Sequence, residues 1–173
     1  MKLIELSSAM MAPYQQQFVD LLIDCVEAGA SIGFITPLSR EQAAAFWRKI
    51  AASVAAGERR ILVGIDEQRQ VLAGTVQLCL DMPANGQHRA EIAKLMVHPD
   101  YRRRGLAYDL MEQAIQLAKS ERRSLLVLDT RTGDSAEQLY TKLGFQLAGV
   151  IPDYALSTDA ELTATSFMYR HLA

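Results

Sequence analysis

The stretch "RAEIAKLMVHPDYRRRGLAYDLM" (89–111) decides how this chain folds. Its first nine residues, 89–97, are rich in strand-forming apolar side chains and follow a turn signal, "PANGQ" (83–87). Three arginines, Arg102, Arg103 and Arg104, then stand against Gly105. From Gly105 to Lys119 the residues Leu106, Leu110, Ala114, Leu117 and Ala118 fall on one helical face. "LLVLDT" (125–130) comes next, a short apolar strand of the kind buried on both faces. Strand, helix and strand in this order form a crossover unit, which implies a locally parallel pair.

Working outward, "KLIELS" (2–7) alternates as a first strand, and 13–30 is a helix with Phe18, Leu21, Leu22, Cys25 and Val26 on one side. Ser39 and Gln42 resemble a capping box for a second helix over 40–56, whose apolar stripe is Ala43, Phe46, Trp47, Ile50 and Val54. "RRILVGI" (59–65) and "QVLAGTVQLCL" (70–80) flank "DEQR" as a hairpin. Beyond the crossover, a helix over about 134–143 is closed by Gly144, and strands at 145–151 and 165–172 end the chain. The expected fold class is mixed α/β: a mostly antiparallel sheet of seven strands with a central parallel pair and four helices. With no repeat, linker or low-complexity tract, 1–173 reads as a single domain.

Composition narrows the function. The formal charge is −2, which argues against a nucleic-acid binder. No apolar run reaches the ~20 residues of a membrane span, and no signal-peptide core is present, so a cytoplasmic protein is expected. Cys25 and Cys79 lack metal or redox spacing and read as reduced core thiols; His88, His98 and His171 are equally scattered, so no metal is expected. His98, in the turn before the arginines, reads as a solvated loop histidine.

Positive charge is thus concentrated locally, at the join between a strand and a helix. Helix N-termini carry unsatisfied N–H groups and partial positive charge, and so bind phosphate. Gly105 lets the backbone approach an anion, Ala107 keeps the first turn open, and arginines add charge-assisted bonds. A solvated charge run is the alternative reading.

"RRRGLA" (102–107) is similar to the Arg/Gln-x-x-Gly-x-Gly/Ala signature of the GCN5-related N-acetyltransferases, and "AEQLYTKLGF" (136–145) resembles their second motif. The order of strands and helices agrees over nearly the whole chain. The resemblance implies that acetyl-coenzyme A is the cosubstrate and that Arg102, Arg103, Arg104, Gly105, Leu106 and Ala107 hold its pyrophosphate. It also implies that the backbone of Leu95, Met96 and Val97 borders the thioester, with the Leu95 and Val97 side chains in the core. Tyr140 lies near the sulfur, as the acid that protonates the leaving thiolate or else as a core tyrosine. Gly133 stands where many members carry asparagine, which leaves Asp134 or Ser135 to replace that side chain or only to cap the helix.

An alkyl amine with a pKa near ~10 must lose a proton before it attacks a carbonyl. Glu91 shares a strand face with Ala93, Leu95 and Val97, so apolar neighbours would raise its pKa. Asp129 ends a strand where open α/β sheets build their sites. Each is a candidate base or substrate anchor, or else a strand-end carboxylate paired with an arginine. The resemblance also implies that "GASIGFITP" (29–37), between the first two helices, borders the acceptor site, which makes Phe34 and Trp47 candidate walls; core packing is the alternative for both.

The expected function is therefore transfer of an acetyl group to a primary amine of a small molecule, by direct attack in a ternary complex. No cysteine sits where an acetyl-enzyme is expected. Within the family the chain looks most like the tabtoxin-resistance acetyltransferases, which points to an antibiotic or toxin amine. The rivals are a protein N-terminal acetyltransferase and a non-catalytic acyl-coenzyme A-binding module. The final strands are a place where members of the family form homodimers.

Overall fold

A computed structural model describes residues 1–172 of the chain. One seven-stranded sheet has the order β1-β2-β3-β4-β5-β7-β6. The strands are β1 (Lys2–Glu5), β2 (Arg59–Asp66), β3 (Val71–Cys79), β4 (Arg89–Val97), β5 (Leu125–Arg131), β6 (Gln146–Leu156) and β7 (Leu162–His171). Every neighbouring pair is antiparallel except β4 and β5. This is the mixed α/β sheet that the crossover at 89–129 requires.

Five α-helices cover the sheet: α1 (Ser8–Met11), α2 (Gln15–Glu27), α3 (Arg40–Ala55), α4 (Leu106–Ser120) and α5 (Ser135–Lys142). The sheet separates two cores. Leu106, Leu110, Met111, Ala114 and Ile115 of α4, Tyr140 of α5 and Leu143 just after it fill one of them. Phe18, Leu21, Leu22 and Cys25 of α2 and Trp47 and Ile50 of α3 fill the other. No helix among the described residues is long and apolar enough to cross a membrane.

Local chemistry explains the helix ends. The capping box at α3 forms: Gln42 N–H donates to Ser39 Oγ at 3.1 Å, and Ser39 N–H donates to Gln42 Oε1 at 3.0 Å. The helix expected to run from 13 begins earlier, at Ser8, because Ser7 Oγ caps it by accepting from Met10 N–H. Pro13 then falls within a 3-10 turn, Ala12–Tyr14, before α2 resumes. The last two strands are longer than expected. β6 runs through Pro152 to Leu156, since on an edge strand the missing N–H costs no ladder bond.

Two glycines bring α4 onto the sheet. Gly64 and Gly74 face each other across β2 and β3. A Cβ on Gly64 would lie 2.6 Å from Leu106 Cδ1, and one on Gly74 would lie 2.7 Å from the Met96 carbonyl oxygen. The bare backbone there lets Leu106, the first residue of α4, settle against the strands, which fixes where the helix N-terminus points.

Candidate active site

The crossover makes a cleft because β4 and β5 pair only briefly. Their parallel register covers Arg89 with Leu125, Ala90 with Leu126, and Glu91 with Val127. Beyond Glu91 the strands part: β4 continues against β3 alone and β5 against β7 alone. The opening is a cleft of about 830 Å³, bordered by β4, the 101–108 turn, the C-terminal half of β5 and the start of α5. Along it, the β4 edge from Ile92 onward has no strand partner.

A bulge sits at the apex. Thr75 pairs with Met96 and Gln77 with Ala93, so Lys94 and Leu95 together oppose Val76, and Lys94 takes φ +52°. The extra residue inverts the alternation of β4. Ala90 and Ile92 belong to the α4 core, as do Leu95 and Val97, whereas Met96 lies in the α2 core. Glu91 therefore does not share a face with Leu95 and Val97, contrary to the expectation from strict alternation. The Leu95, Met96 and Val97 side chains are spent on packing, and what this segment offers the cleft is backbone.

At one end of the cleft the strand passes into α4 through the arginine turn. Arg103 has φ +59° and Gly105 φ +84°, two left-handed residues in a turn that borders the cleft, the kind of backbone that can form an anion-binding concavity. A Cβ on Gly105 would meet nothing within 4 Å, so glycine is needed here for conformation rather than for space. Arg102, Arg103, Gly105, Leu106 and Ala107 all line the cleft. The arginines differ among themselves. Arg102 Nε donates to the Val97 carbonyl at 3.2 Å, and the Arg104 guanidinium lies 5.3 Å from the centre of the Tyr101 ring, outside the cleft lining.

At the other end, Tyr140 of α5 lines the cleft from a buried position, its ring edge-on to Phe145. Burial, with the negative charge of Asp129 nearby, pushes its phenol far above the ordinary range, so the hydroxyl stays protonated. Glu91 and Asp129 face the same space. Burial, then the charge of Asp129, raises the Glu91 carboxyl, while Arg59 and Lys94 draw it back. Asp129 itself is exposed, and β5 is not buried on both faces as expected: Leu126 and Leu128 are buried but Leu125 and Val127 are only half so. The reason is coverage, because α2 packs over β3 and β4 and α3 over β2, leaving that face of β5 along the cleft.

Several expectations resolve here. Phe34 does not line the cleft. It packs edge-on to Phe46, with centroids 5.2 Å apart, and Phe46 contacts Trp47 in turn, so the rings gain more from mutual burial. Trp47 is likewise buried, 4.4 Å from Phe18. Asp134 neither caps α5 through its side chain nor stands free, because Arg131 holds it with two hydrogen bonds at 3.0 Å. Gly133 N–H donates instead to Glu137 Oε2 at 2.6 Å. His98 is not a solvated loop residue: Asp100 N–H donates to its Nδ1, which leaves Nε2–H to donate to Asp24 Oδ2 at 3.1 Å. Both cysteines are free, and Cys25 borders the cleft, which its helical spacing alone did not show. Burial pushes its thiol up to about 11.

The sequence reading missed Lys94 and Arg59. The signal was present: after Ile92 and Lys94 the run Leu95, Met96, Val97 breaks the period of two, which marks a bulge.

A splayed parallel pair, a bulge at its apex and a left-handed turn leading into a helix beside it are the features that characterise this fold. The chain belongs to the acetyltransferase (GNAT) family, whose model matches residues 13–145. Human N-acetyltransferase 8 is 32% identical over 94 residues, and this chain spans 41% of that relative's length. Among solved structures, the ribosomal-protein-alanine N-acetyltransferase from Brucella melitensis has a TM-score of 0.82 at 18% identity, covering 99% of this chain and 100% of that one. A phosphinothricin acetyltransferase from Sinorhizobium meliloti, in complex with acetyl-coenzyme A, has a TM-score of 0.80 at 18% identity, covering 99% and 88%. At these identities the structural likeness speaks for the fold.

Proposed function

We propose that the protein is an acetyl-coenzyme A-dependent N-acetyltransferase that acetylates the primary amine of a small molecule by direct attack in a ternary complex. The observation that carries this reading is one continuous cleft, running from the α4 nest past Tyr140 to Glu91 and Asp129. Residues 1–173 act in it as one domain.

The cosubstrate supplies an acyl group activated as a thioester. The N–H groups of the 102–107 turn fit its pyrophosphate, and Arg103 adds charge from the rim. The unpaired β4 edge offers N–H groups for the acyl oxygen. Glu91, its pKa raised by burial and by the charge of Asp129, takes the proton of the amine, and Asp129 anchors the amine beside it. Tyr140 keeps its own proton at neutral pH and can deliver it to the departing sulfur. Cys25 is no rival nucleophile, because at about 11 its thiol is un-ionised near neutrality. The finer reading, a toxin or antibiotic amine, is supported by the sequence resemblance to the tabtoxin-resistance acetyltransferases.

Thiol release from acetyl-coenzyme A with a panel of small amines tests this. Tyr140→Phe keeps the ring and its packing, so turnover should fall by about a hundred- to ten-thousandfold. Cosubstrate affinity by calorimetry should stay within about threefold, since the nest is untouched. An unchanged rate would remove Tyr140 from the chemistry. Tight cosubstrate binding with no release from any amine would instead identify an acyl-coenzyme A-binding module.

A further inference from the structure

Behind the bulge the cleft continues into a side pocket of about 360 Å³, and Glu91, Ala93 and Lys94 line both spaces. Two cations face this junction. Lys94 is half-buried, yet among the described residues it has no carboxylate within 4.0 Å and no hydrogen bond. Arg59, also half-buried, donates through Nη1 to Gln77 Oε1, while its Nε is buried without a partner. It too lacks an ion pair among the described residues. Gln77, at 0% exposure, keeps Nε2 unpartnered beside it.

Such an arrangement is costly when nothing is bound. Burial acts first to deprotonate Lys94, and the charge of Arg59 adds to it, while the charges of Asp129 and Glu91 oppose them without either carboxylate reaching ion-pair distance of Lys94. Carboxylates are present, since Glu58, Asp81 and Glu91 line the side pocket, but none closes on either cation. The Ala28–Gly33 loop also leaves room for the ammonium: a Cβ on Gly33 would lie 3.2 Å from Lys94 Nζ. Unpaired cations grouped in a half-buried pocket are completed by an anion from outside.

We propose that Lys94 and Arg59 are the anion-binding half of the acceptor site, and that the molecule acetylated is a compact amine carrying its own carboxylate. This rests on the acetyltransferase reading and names the substrate class for it. The amine lies toward Glu91 and Asp129, and the carboxylate toward Lys94 and Arg59. Three acidic side chains around two basic ones disfavour a dianion such as a phosphate ester, whereas a zwitterion adds no net charge.

Binding separates the proposal from the reading beneath it. The N-acetyl forms of alanine, leucine and methionine are titrated into the enzyme with coenzyme A present, each against its carboxamide. The acids should bind about ten- to a hundredfold more tightly, the range of a charge-assisted pair. Lys94→Met and Arg59→Met should each remove most of that preference, and Lys94→Arg should restore it in part. Lys94→Met also leaves one cation fewer, so without ligand its melting temperature should not fall; this separates loss of a contact from loss of the fold. Acids and carboxamides behaving alike in the wild type, or a preference surviving in both Met variants, overturns the anion site. Thiol release is followed alongside. Release with amines that lack a carboxylate, and none with amino acids, overturns the proposal and leaves an acetyltransferase. An intact acid preference with no release from any amine overturns the acetyltransferase reading and leaves the anion site.

Discussion

The two ends of the cleft are built on opposite principles. The end beside α4 is shaped by backbone: its turn holds two left-handed residues, and two of its three arginines spend themselves on the protein's own Val97 carbonyl and Tyr101 ring. The end proposed for the acceptor is made of side chains, Glu91 and Lys94 among them, with Arg59 behind them in the side pocket. A backbone site should tolerate lost side chains and fail when its conformation is altered. A side-chain site should behave the other way round.

The largest effect is expected from Gly105→Glu. A left-handed non-glycine residue costs about 1–2 kcal/mol, and the new carboxylate would stand where phosphate belongs. Affinity for acetyl-coenzyme A should fall by more than about a hundredfold by calorimetry. Affinity retained within about threefold would mean that the turn does not hold the phosphates, and the contrast between the ends would collapse.

Gly74→Ala reaches the nest from beneath. The added Cβ presses on the Met96 carbonyl oxygen, which belongs to a central strand and cannot swing aside. Overpacking of this kind costs about 1–3 kcal/mol, read from thermal or urea unfolding. An undiminished melting temperature would show that β4 yields more easily than its pairing with β3 suggests.

Glu91→Gln sharpens the acceptor end through pH. The raised carboxyl means that kcat/KM should fall on an acid limb above the ordinary carboxylate range, and the variant should lose both that limb and most of the rate. Stability carries the opposite sign. A carboxyl raised in the fold favours its protonated form there, so its contribution is present at low pH and is lost as pH rises through the folded value. Glu91→Gln should therefore melt slightly higher than the wild type near about pH 7 and equally near about pH 4. An acid limb persisting in the variant would assign the base elsewhere, with Asp129 next in line.

Arg104→Ala is the smallest and most pointed test. If the nest works through backbone, removing a guanidinium that stacks on Tyr101 should weaken acetyl-coenzyme A by less than about threefold. A loss rivalling that of Gly105→Glu would make the turn a side-chain site after all.

Much of this was legible in the residues. The crossover at 89–129, the capping box at Ser39 and Gln42 and the glycine before α4 are local patterns, and local patterns persist wherever the chain is placed. The misreadings share one cause, which is that alternation and helical spacing describe an isolated element. They gave Glu91 the face of Leu95 and Val97, because one inserted residue reverses every later side chain and a bulge is set by pairing with β3. They left Phe34 open between the cleft and the core, and Phe46 and Trp47, more than ten residues away, decided it.

The sequence by itself determined the order of strands and helices, the position of the arginine–glycine turn before α4 and the family, since each follows from contacts among residues near one another in the chain. Only the tertiary structure decided that β4 and β5 part after Glu91, that Cys25 and Asp129 border one space, and that Lys94 and Arg59 line one side pocket behind the bulge without an ion pair among the described residues. Those facts depend on strands paired across long stretches of chain, and no local periodicity records which side chains a distant strand will leave without a partner.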